Sequence, residues 1–299
     1  MNIDELKKKV EEKESDLAEL RERWNRRAAG FPALPEEKQI NSFSYLDQFM
    51  TLQDAHMLDV GCGSGRYLLL ALEAGAEKVV GVEIADKMLE KAEQSLTAAS
   101  WPQNKYELVR SSWEEIDLAE RGWIKQFDLV MALKTPALNS VANVKKMLTA
   151  SRAGFFFSNH LQRIEPLFQK LYAKVHGYEK AFGNEHAHVL AELLEAWGYE
   201  PQTHIFEIVD IRDEPIADLL IRYGDWIFKD FPSEEEREWL RQELLQLSLD
   251  GVTVNHSATT TEALTYVDVR AVDVESLYKQ KPPKPCRFRG FLYGVPART

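Results

Sequence analysis

Short apolar runs alternate with amphipathic stretches through the middle of the chain. Met57–Val60 and Lys78–Glu83 are continuous apolar runs of the length that favours buried strands. Between them an apolar helical stretch runs from Arg66 to Ala74, and Gly75 stands where a helix C-terminus favours glycine. This segment therefore predicts a strand, a turn, a helix and a second strand in close succession.

The same alternation continues toward the C-terminus. Four further strands are predicted, at Lys105–Ser111, Phe127–Ala132, Gly154–Asn159 and His204–Val209. Helices are predicted over Arg163–Tyr178 and around Val189–Trp197. Strands that alternate with helices indicate an α/β fold with a doubly wound, mostly parallel sheet and helices on both faces. Thr259–Val272 and Arg287–Val295 also have strand character, and the sequence leaves open which of them closes the sheet.

The first 24 residues carry an apolar stripe with one polar position. Its members are Ile3, Leu6, Val10, Lys13, Leu17, Leu20 and Trp24, separated by alternating steps of three and four. Charged residues fill the other faces, so the pattern predicts an amphipathic helix. The helix can pack on its own domain, or it can form a coiled-coil homodimer, and we favour the first interpretation.

A second helical addition is predicted at Pro215–Leu249, late in the sheet. Ser233 and Glu236 have the spacing of a capping box, which predicts that a helix begins there. The segment carries more aromatic residues than one packing stripe needs: Tyr223, Trp226, Phe228, Phe231 and Trp239. We expect a lid over a substrate pocket, with Tyr223 or Trp226 facing that pocket.

The turn after the first strand carries the clearest chemistry. Gly61, Gly63 and Gly65 occupy alternate positions, which lets the backbone turn sharply and lets a ligand lie against the main chain. The amides of the following helix point into the same space. Glu83 ends the second strand 18 residues after Gly65, the separation at which an acid reaches a ribose diol. The unit predicts a nucleoside-binding half-site.

Asp59 precedes this turn, and the third glycine falls at position 65, one place earlier than in the dinucleotide-binding fingerprint. Asp-x-Gly-x-Gly-x-Gly, followed by a strand that ends in Glu83, resembles motifs I and II of the class I S-adenosylmethionine-dependent methyltransferases, which have a Rossmann-like fold. The resemblance implies that Asp59, Gly61, Gly63 and Gly65 face the methionine part of S-adenosylmethionine. It implies that Glu83 binds both ribose hydroxyls. Neighbouring cofactor contacts are then expected at Cys62, Ile84, Ala132 and Leu133.

The same resemblance implies which residues bind the adenine and which segment covers the cofactor. Ser112 stands where the family often has an acid that binds adenine, and its hydroxyl can bond the amino group. Trp113 offers a ring for stacking, although a plain core aromatic is the alternative. Trp24 and Phe31 lie in an aromatic-rich segment that is similar to the cofactor-covering segment of small-molecule methyltransferases.

The resemblance also divides the chain into four parts. These are residues 1–50 as an N-terminal helical cap, 51–210 as the cofactor-binding core, 211–256 as the inserted lid and 257–299 as C-terminal strands that complete the sheet.

Composition limits the classes of binding partner that we expect for this protein. A formal charge of −11 over 299 residues argues against a nucleic-acid substrate, which needs a basic surface. The charged N-terminus and the absence of a long apolar run predict a cytoplasmic protein with no membrane partner. Cys62 and Cys286 leave no disulfide framework. The histidines His160, His176, His186 and His188, with Glu185, match no established zinc spacing, and we expect no metal.

We therefore predict an enzyme that transfers a methyl group from S-adenosylmethionine to a small-molecule acceptor by in-line displacement. The family shares its cofactor site and not its base, so the catalytic residues stay open. His160, Lys134 and Tyr223 are candidates on the substrate side. The alternatives are a non-catalytic S-adenosylmethionine-binding sensor or scaffold and, further off, a nucleotide-dependent oxidoreductase.

Overall fold

The computed structural model describes residues 2–10, 16–31, 41–180, 182–183, 186–228 and 232–272. Within these residues the strands are β1 His56–Val60, β2 Lys78–Glu83, β3 Tyr106–Arg110, β4 Phe127–Leu133, β5 Ser151–Ile164, β6 Phe182–Gly183, β7 Gln202–Pro215 and β8 Thr253–Asp268. The helices are α1 Ile3–Val10, α2 Leu17–Arg27, α3 Asn41–Leu46, α4 Arg66–Glu73, α5 Asp86–Ala98, α6 Val141–Ala150, α7 Pro166–His176, α8 His186–Ala196, α9 Ile216–Phe228 and α10 Glu234–Leu247.

The strands form one sheet in the order β3-β2-β1-β4-β5-β8-β7, and β6 pairs with β5 at the side. Strands β1 to β5 run parallel to one another in this order, whereas β8 is antiparallel to both β5 and β7. In the register of the centre, Leu58 lies between Val80 of β2 and Val130 of β4. The predicted α/β fold with a mostly parallel sheet is confirmed.

Helices cover both faces of the sheet, which explains the continuous apolar runs of the central strands. Leu58 of β1 packs with Leu6 of α1 and Leu193 of α8 on one face. Met57, its neighbour in β1, packs with Leu46 and Leu68 on the other face. Because successive residues of a strand point to opposite faces, each strand contributes to both cores.

Two strands are much longer than their apolar runs predicted. β5 continues from Asn159 to Ile164, and β7 runs from Gln202 to Pro215. Beyond Ser158, burial along β5 changes from continuous to alternating, because the pairing with β4 ends there while the pairing with β8 continues. The predicted helix start at Arg163 is therefore wrong, and α7 begins at Pro166.

β8 is the strand that completes the sheet next to β5. The other candidate, Arg287–Val295, lies outside the described residues, as does Cys286. The predicted division of the chain into four parts stays a prediction.

The N-terminal stripe belongs to two described helices, with residues 11–15 between them outside the description. Ile3, Leu6 and Val10 of α1 are buried in the core that contains Trp113. Leu17, Leu20 and Trp24 of α2 pack instead against a separate cluster formed by Ala28, Ile84, Ala85 and Met88. The stripe thus packs on its own chain, as the favoured interpretation predicted. The homodimer through this segment stays a prediction.

Helices α9 and α10 lie between β7 and β8 in the chain, and Ser233 and Glu236 form the predicted capping box. A buried charge network joins α9 to the extended strands. Glu165, which is 0 % exposed, accepts hydrogen bonds from Arg163, Arg222 and Tyr223. Tyr223 is itself fully buried, which leaves Trp226 as the member of the predicted pair that can face a pocket. The Tyr223 hydroxyl is used to compensate a buried carboxylate.

Glu214 extends this network on β7. It accepts hydrogen bonds from Arg222 of α9 and lies 2.8 Å from His256 Nε2 of β8. Burial alone would raise the pKa of Glu214, but His256, Arg222 and Arg212 outweigh it and lower the pKa to about 2. Burial opposes ionisation of Glu165 in the same way, and Arg222 and Arg163 hold its pKa below the ordinary value.

The first prediction concerns Arg222, which pairs with both buried carboxylates. Arg222→Met should destabilise the fold by about 3–5 kcal/mol at pH 7, because it leaves Glu165 and Glu214 without their shared cation. Arg212→Met is the matched control: its side chain is 45 % exposed, and its loss should cost about 0–1 kcal/mol. Urea unfolding at several pH values measures both.

The pH dependence has a definite sign. Glu165 and Glu214 have lowered pKa values in the folded state, so their stabilisation is present above the unfolded-state pKa and is lost as pH falls through the folded value. The difference between wild type and Arg222→Met should therefore shrink below about pH 4. A difference that is constant with pH would contradict the network as described.

Candidate functional site

A cavity of about 1260 Å³ opens at the carboxyl ends of the parallel strands. One part is lined by the turn after β1 and by the ends of β2, β3 and β4, and we call it the glycine-turn half. The other part is lined by the extended portions of β5, β7 and β8 together with α9, and we call it the extension half. Open parallel sheets bind ligands along this edge, so the cavity is the candidate site.

The glycines of the turn are required by close approach and by backbone conformation. Gly61 has φ +77°, and a Cβ there would lie 2.2 Å from Thr135 Oγ1. Gly65 has φ +80°, and a Cβ there would lie 2.8 Å from the Ala92 side chain on α5. Gly63 has φ +53° with nothing within 4 Å of a Cβ, so its constraint is the backbone alone. The turn is pressed between the segment after β4 and helix α5.

Glu83 lies at the cavity wall at the end of β2, and it is 8 % exposed. Its Oε2 accepts the Gly63 N–H at 3.0 Å, and its Oε1 accepts the Ala85 N–H at 2.9 Å. Burial raises the pKa of Glu83, and these backbone amides oppose that rise. A carboxylate has about four acceptor sites, so both oxygens are held in place and can still accept hydroxyl groups.

Asp59 lies beneath the turn and does not contribute to the cavity wall. It is 1 % exposed, and neither carboxylate oxygen has a hydrogen-bond partner. Burial and the nearby Glu83 raise the pKa of Asp59 to about 8. The same surroundings raise the pKa of the buried Cys62 thiol, which agrees with a small packing residue and not a nucleophile.

Ser112 and Trp113 both line the cavity, but each is already engaged. The Ser112 hydroxyl donates to Glu115 at 3.0 Å. Trp113 is 2 % exposed, its indole N–H donates to the Asn143 carbonyl, and its ring packs in the core. Little of the ring is accessible for stacking on a base. The adenine roles of these two residues stay predictions, and the geometry of Trp113 favours its alternative as a core aromatic.

Trp24 and Phe31 line the mouth of the cavity, with ring centroids 5.9 Å apart. The segment that carries them is fixed to α5, because Lys91 Nζ donates to the carbonyls of Ala29 and Phe31. It is also fixed to α9 by Arg26 and Arg27, which both bond the buried Asp225. These ion pairs connect the segment that carries Trp24 and Phe31, beside the glycine-turn half, to helix α9, beside the extension half.

A charged cluster stands where the two halves meet. Lys134 follows β4, has φ +55°, and donates its backbone N–H to Ser158 Oγ. A left-handed conformation costs a residue with a Cβ about 1–2 kcal/mol. Lys134 Nζ lies 2.7 Å from Oε1 of Glu262 on β8, and His160 Nδ1 on β5 lies 3.4 Å from the same oxygen. His160, Lys134 and Glu262 all line the cavity.

The predicted site residues thus divide into two groups. Nine of them line the cavity: Trp24, Gly61, Cys62, Gly63, Glu83, Ile84, Ser112, Trp113 and Leu133. Asp59, Gly65 and Ala132 lie behind the wall, where they shape the turn and pack the end of β4. On the substrate side, Trp226 lines the cavity and Tyr223 does not.

Glu262 is the residue that the sequence analysis missed. It is 2 % exposed and is the one acid in an otherwise apolar and threonine-rich strand, Thr259–Val267. A lone carboxylate in a buried strand is itself a signal of a paired or functional group, because burying an unpaired charge is expensive.

Among the described residues, no group of three or more histidine, cysteine or acidic side chains could hold a metal ion. The side chains of Glu185 and His186, named above for a metal, lie outside the description. Across the same described residues, no helix is both long and apolar enough to cross a membrane.

Comparison with known proteins identifies the part of the chain that forms the glycine-turn half. Residues 57–153 match a family whose description is "Methyltransferase domain". These residues form a methyltransferase domain. The matched span contains both predicted motifs, from the strand before the glycine turn to the start of β5, and the predicted class I recognition is confirmed for it.

One relative matches a short segment of the chain. The chain is 51 % identical over 45 residues to an uncharacterized protein of Haemophilus influenzae, which is 15 % of this chain and 18 % of that protein. It thus spans less than a fifth of that relative's length.

Two solved structures are similar to this chain at low sequence identity. The magnesium protoporphyrin IX methyltransferase of Synechocystis, solved with bound SAH, is 15 % identical with a TM-score of 0.48, covering 84 % of this chain and 99 % of its own. The YcgJ protein of Bacillus subtilis is 13 % identical with a TM-score of 0.48, covering 76 % and 97 %.

The second prediction separates the two constraints on the glycine turn, which are close approach to a neighbour and backbone conformation. Gly61→Ala should weaken S-adenosylmethionine binding by at least tenfold, because its Cβ collides with Thr135 and displaces the turn. Gly63→Ala is the matched control, since it has a similar positive φ but open space around a Cβ, and it should have the smaller effect. Calorimetry on both folded variants makes the comparison. Equal losses would show that backbone conformation alone sets the requirement.

The third prediction concerns the unpaired Asp59. An acid whose pKa is raised on folding lowers stability progressively as pH rises from its unfolded value, near 4, to its folded value of about 8. Asp59→Asn removes this charge, so it should raise Tm at pH 8 and have little effect at pH 4. Calorimetric melts across this range test the sign. An unchanged or lower Tm at pH 8 would mean that the carboxylate has a partner after all.

Proposed function

We propose that the chain is an S-adenosylmethionine-dependent methyltransferase that acts on a small-molecule acceptor. The observation that carries the proposal is the position of Glu83, whose two oxygens are fixed by the Gly63 and Ala85 amides and face the cavity beside the glycine turn. A carboxylate held in this way fits a ribose diol, as the family resemblance implies.

The other described residues around the turn fit the rest of the cofactor. Gly63 has open space where a Cβ would stand, which leaves room for a ligand against the main chain, and Trp24 and Phe31 line the same cavity. When bound, S-adenosylmethionine supplies a methyl group that is already activated on a sulfonium. The protein's own contribution is then to hold the acceptor in line and to exclude water.

The elements around the extension half support a small acceptor. It is bounded by three strands and by α9, and the cover over the cofactor half is clasped to α9 through Asp225. Closure by a lid of this kind positions reactants and keeps water out. The predicted cytoplasmic location and the predicted absence of a nucleic-acid partner stay predictions.

The fourth prediction tests the cofactor assignment. Glu83→Gln keeps the size of the side chain but removes its charge, and it should weaken S-adenosylmethionine binding about 10- to 100-fold, the usual effect of losing hydrogen bonds to a charged group. Glu107→Gln on β3, whose half-exposed carboxylate is far less buried, is the control and should bind normally. Isothermal calorimetry with S-adenosylmethionine, S-adenosylhomocysteine and NADH measures the affinities.

Three outcomes discriminate between the functions. Normal affinity in a folded Glu83→Gln variant would refute the ribose contact. Binding of NADH in place of S-adenosylmethionine would favour an oxidoreductase. Cofactor binding without release of S-adenosylhomocysteine over a broad panel of acceptors would favour the non-catalytic sensor.

A further inference from the structure

The antiparallel pairing of β5 and β8 sets His160 directly opposite Glu262. Glu262 Oε1 lies 3.4 Å from His160 Nδ1 and 2.7 Å from Lys134 Nζ. Lys134 directly follows β4, His160 lies within β5 and Glu262 lies within β8, and all three line the cavity at the junction of its two halves. Nothing in the family's shared cofactor motifs accounts for this cluster.

We propose that His160 is the general base of this enzyme, that Glu262 positions it, and that the acceptor is a hydroxyl group on an aromatic ring. This proposal rests on the proposed function, since it assigns the acceptor side of the same site. His160 alone contacts the acceptor. Glu262 is a positioning residue, because it acts through its contact with the imidazole.

The contact with Glu262 determines which imidazole nitrogen is available. A carboxylate facing Nδ1 favours a proton on that nitrogen and leaves Nε2 unprotonated. The His160 side chain is 45 % exposed, whereas Glu262 is almost fully buried behind it. The imidazole can therefore meet a ligand while its orientation is held from the core side.

Burial keeps the His160 ring neutral, and the charges around the ring act in opposite directions. Burial lowers the pKa of His160, and the cations Lys134 and Arg163 lower it further, while Glu262 opposes them. The net pKa lies below the ordinary value of 6.5. At neutral pH the ring is thus unprotonated and can accept a proton, as a general base must.

The cluster lies beside the position of the methyl donor. Lys134 is followed directly by Thr135, and Thr135 is the residue against which Gly61 of the glycine turn is pressed. On its other side the cluster faces the extension half. A group held in the extension half and directed at the glycine turn must therefore pass close to His160.

The walls of the extension half favour an aromatic ring. Its apolar lining residues are Phe182, Phe206, Ile208, Ile221 and Trp226. Its arginines Arg163, Arg212 and Arg222 are each in ion pairs with the chain's own carboxylates, so they are not set up for an anionic acceptor. A flat apolar ring with one weakly acidic hydroxyl matches both features.

The step conserves atoms and electrons. The acceptor O–H bond breaks and its proton moves to Nε2 of His160, while an oxygen lone pair forms the new bond to the methyl carbon. The carbon–sulfur bond breaks with its electron pair remaining on sulfur, and the imidazolium later releases the proton to water. Phenols are protonated at neutral pH, which is why a base is needed.

A readout that needs no acceptor tests the base directly. In ¹⁵N-histidine spectra of the full chain, the signal missing from His160→Gln should show a proton on Nδ1 and a pKa below 6.5. Lys134→Met should raise that pKa and Glu262→Gln should lower it. A proton on Nε2, or a shift of opposite sign in either variant, would overturn the proposal.

A matched pair of acceptors tests the chemistry. With S-adenosylmethionine at pH 8, wild type should methylate 2-naphthol and 2-naphthalenethiol, which share one ring system. The aryl thiol is already largely ionised, so it needs no base. His160→Gln should lower kcat/KM for 2-naphthol about 100-fold or more, and for the thiol less than threefold. His56→Gln is the control and should leave both unchanged, because His56 begins β1 and so lies at the end of the strand opposite the cavity.

The contrary outcomes are distinct. An equal loss for both acceptors would make His160 a structural residue. Cofactor binding in the wild type without transfer to 2-naphthol would overturn the acceptor class and leave the proposed function intact. Failure of the wild type to bind S-adenosylmethionine would overturn the proposed function, and this proposal with it.

Discussion

The antiparallel pairing of β5 with β8 is the constraint on which the rest of the site depends. The parallel strands β1 to β4 end at the glycine turn and at Glu83, and by themselves they form only half of the cavity. β5 continues past that edge because β8 supplies its hydrogen bonds as far as Ile164. A lone strand beyond the edge of the sheet would have only water as a partner for its backbone groups and would hold no fixed position, so this pairing makes the second half of the cavity possible.

The extension is held in place by paired charges as well as by apolar packing. Glu165 lies between β5 and α7, whereas Glu214, Arg222 and His256 come from β7, α9 and β8. Each of the four has a partner within the network. Such groups contribute little net stability when complete but are costly to break, which gives α9 one defined position over the cavity. Asp59 is the contrast, because it is equally buried and has no partner. Its raised pKa is the consequence.

The glycine-turn half and the extension half of the cavity are connected at two places. Where the two halves meet, Lys134 and Glu262 join the end of β4 to β8. At the second place, Arg26 and Arg27 of α2 bond Asp225 of α9. The segment that covers the cofactor therefore cannot move without disturbing the helix that covers the acceptor. This arrangement is what in-line transfer needs, since both reactants must be held together and away from water.

The sequence alone determined the features that depend on neighbouring residues. β1, the glycine turn, α4, β2 and Glu83 form one continuous unit, and its glycine spacing and apolar runs specify it locally. The capping box at Ser233 is local in the same way. Tertiary structure decided whatever depends on partners distant in the chain. β5 extends beyond its apolar run because β8 pairs with it, and the pairing of His160 with Glu262 follows from that register. Tyr223 carries an aromatic ring suited to a pocket, yet it is buried because Glu165 needs its hydroxyl. Periodicity reports which face of an element is apolar, but only the packed fold decides what that face meets.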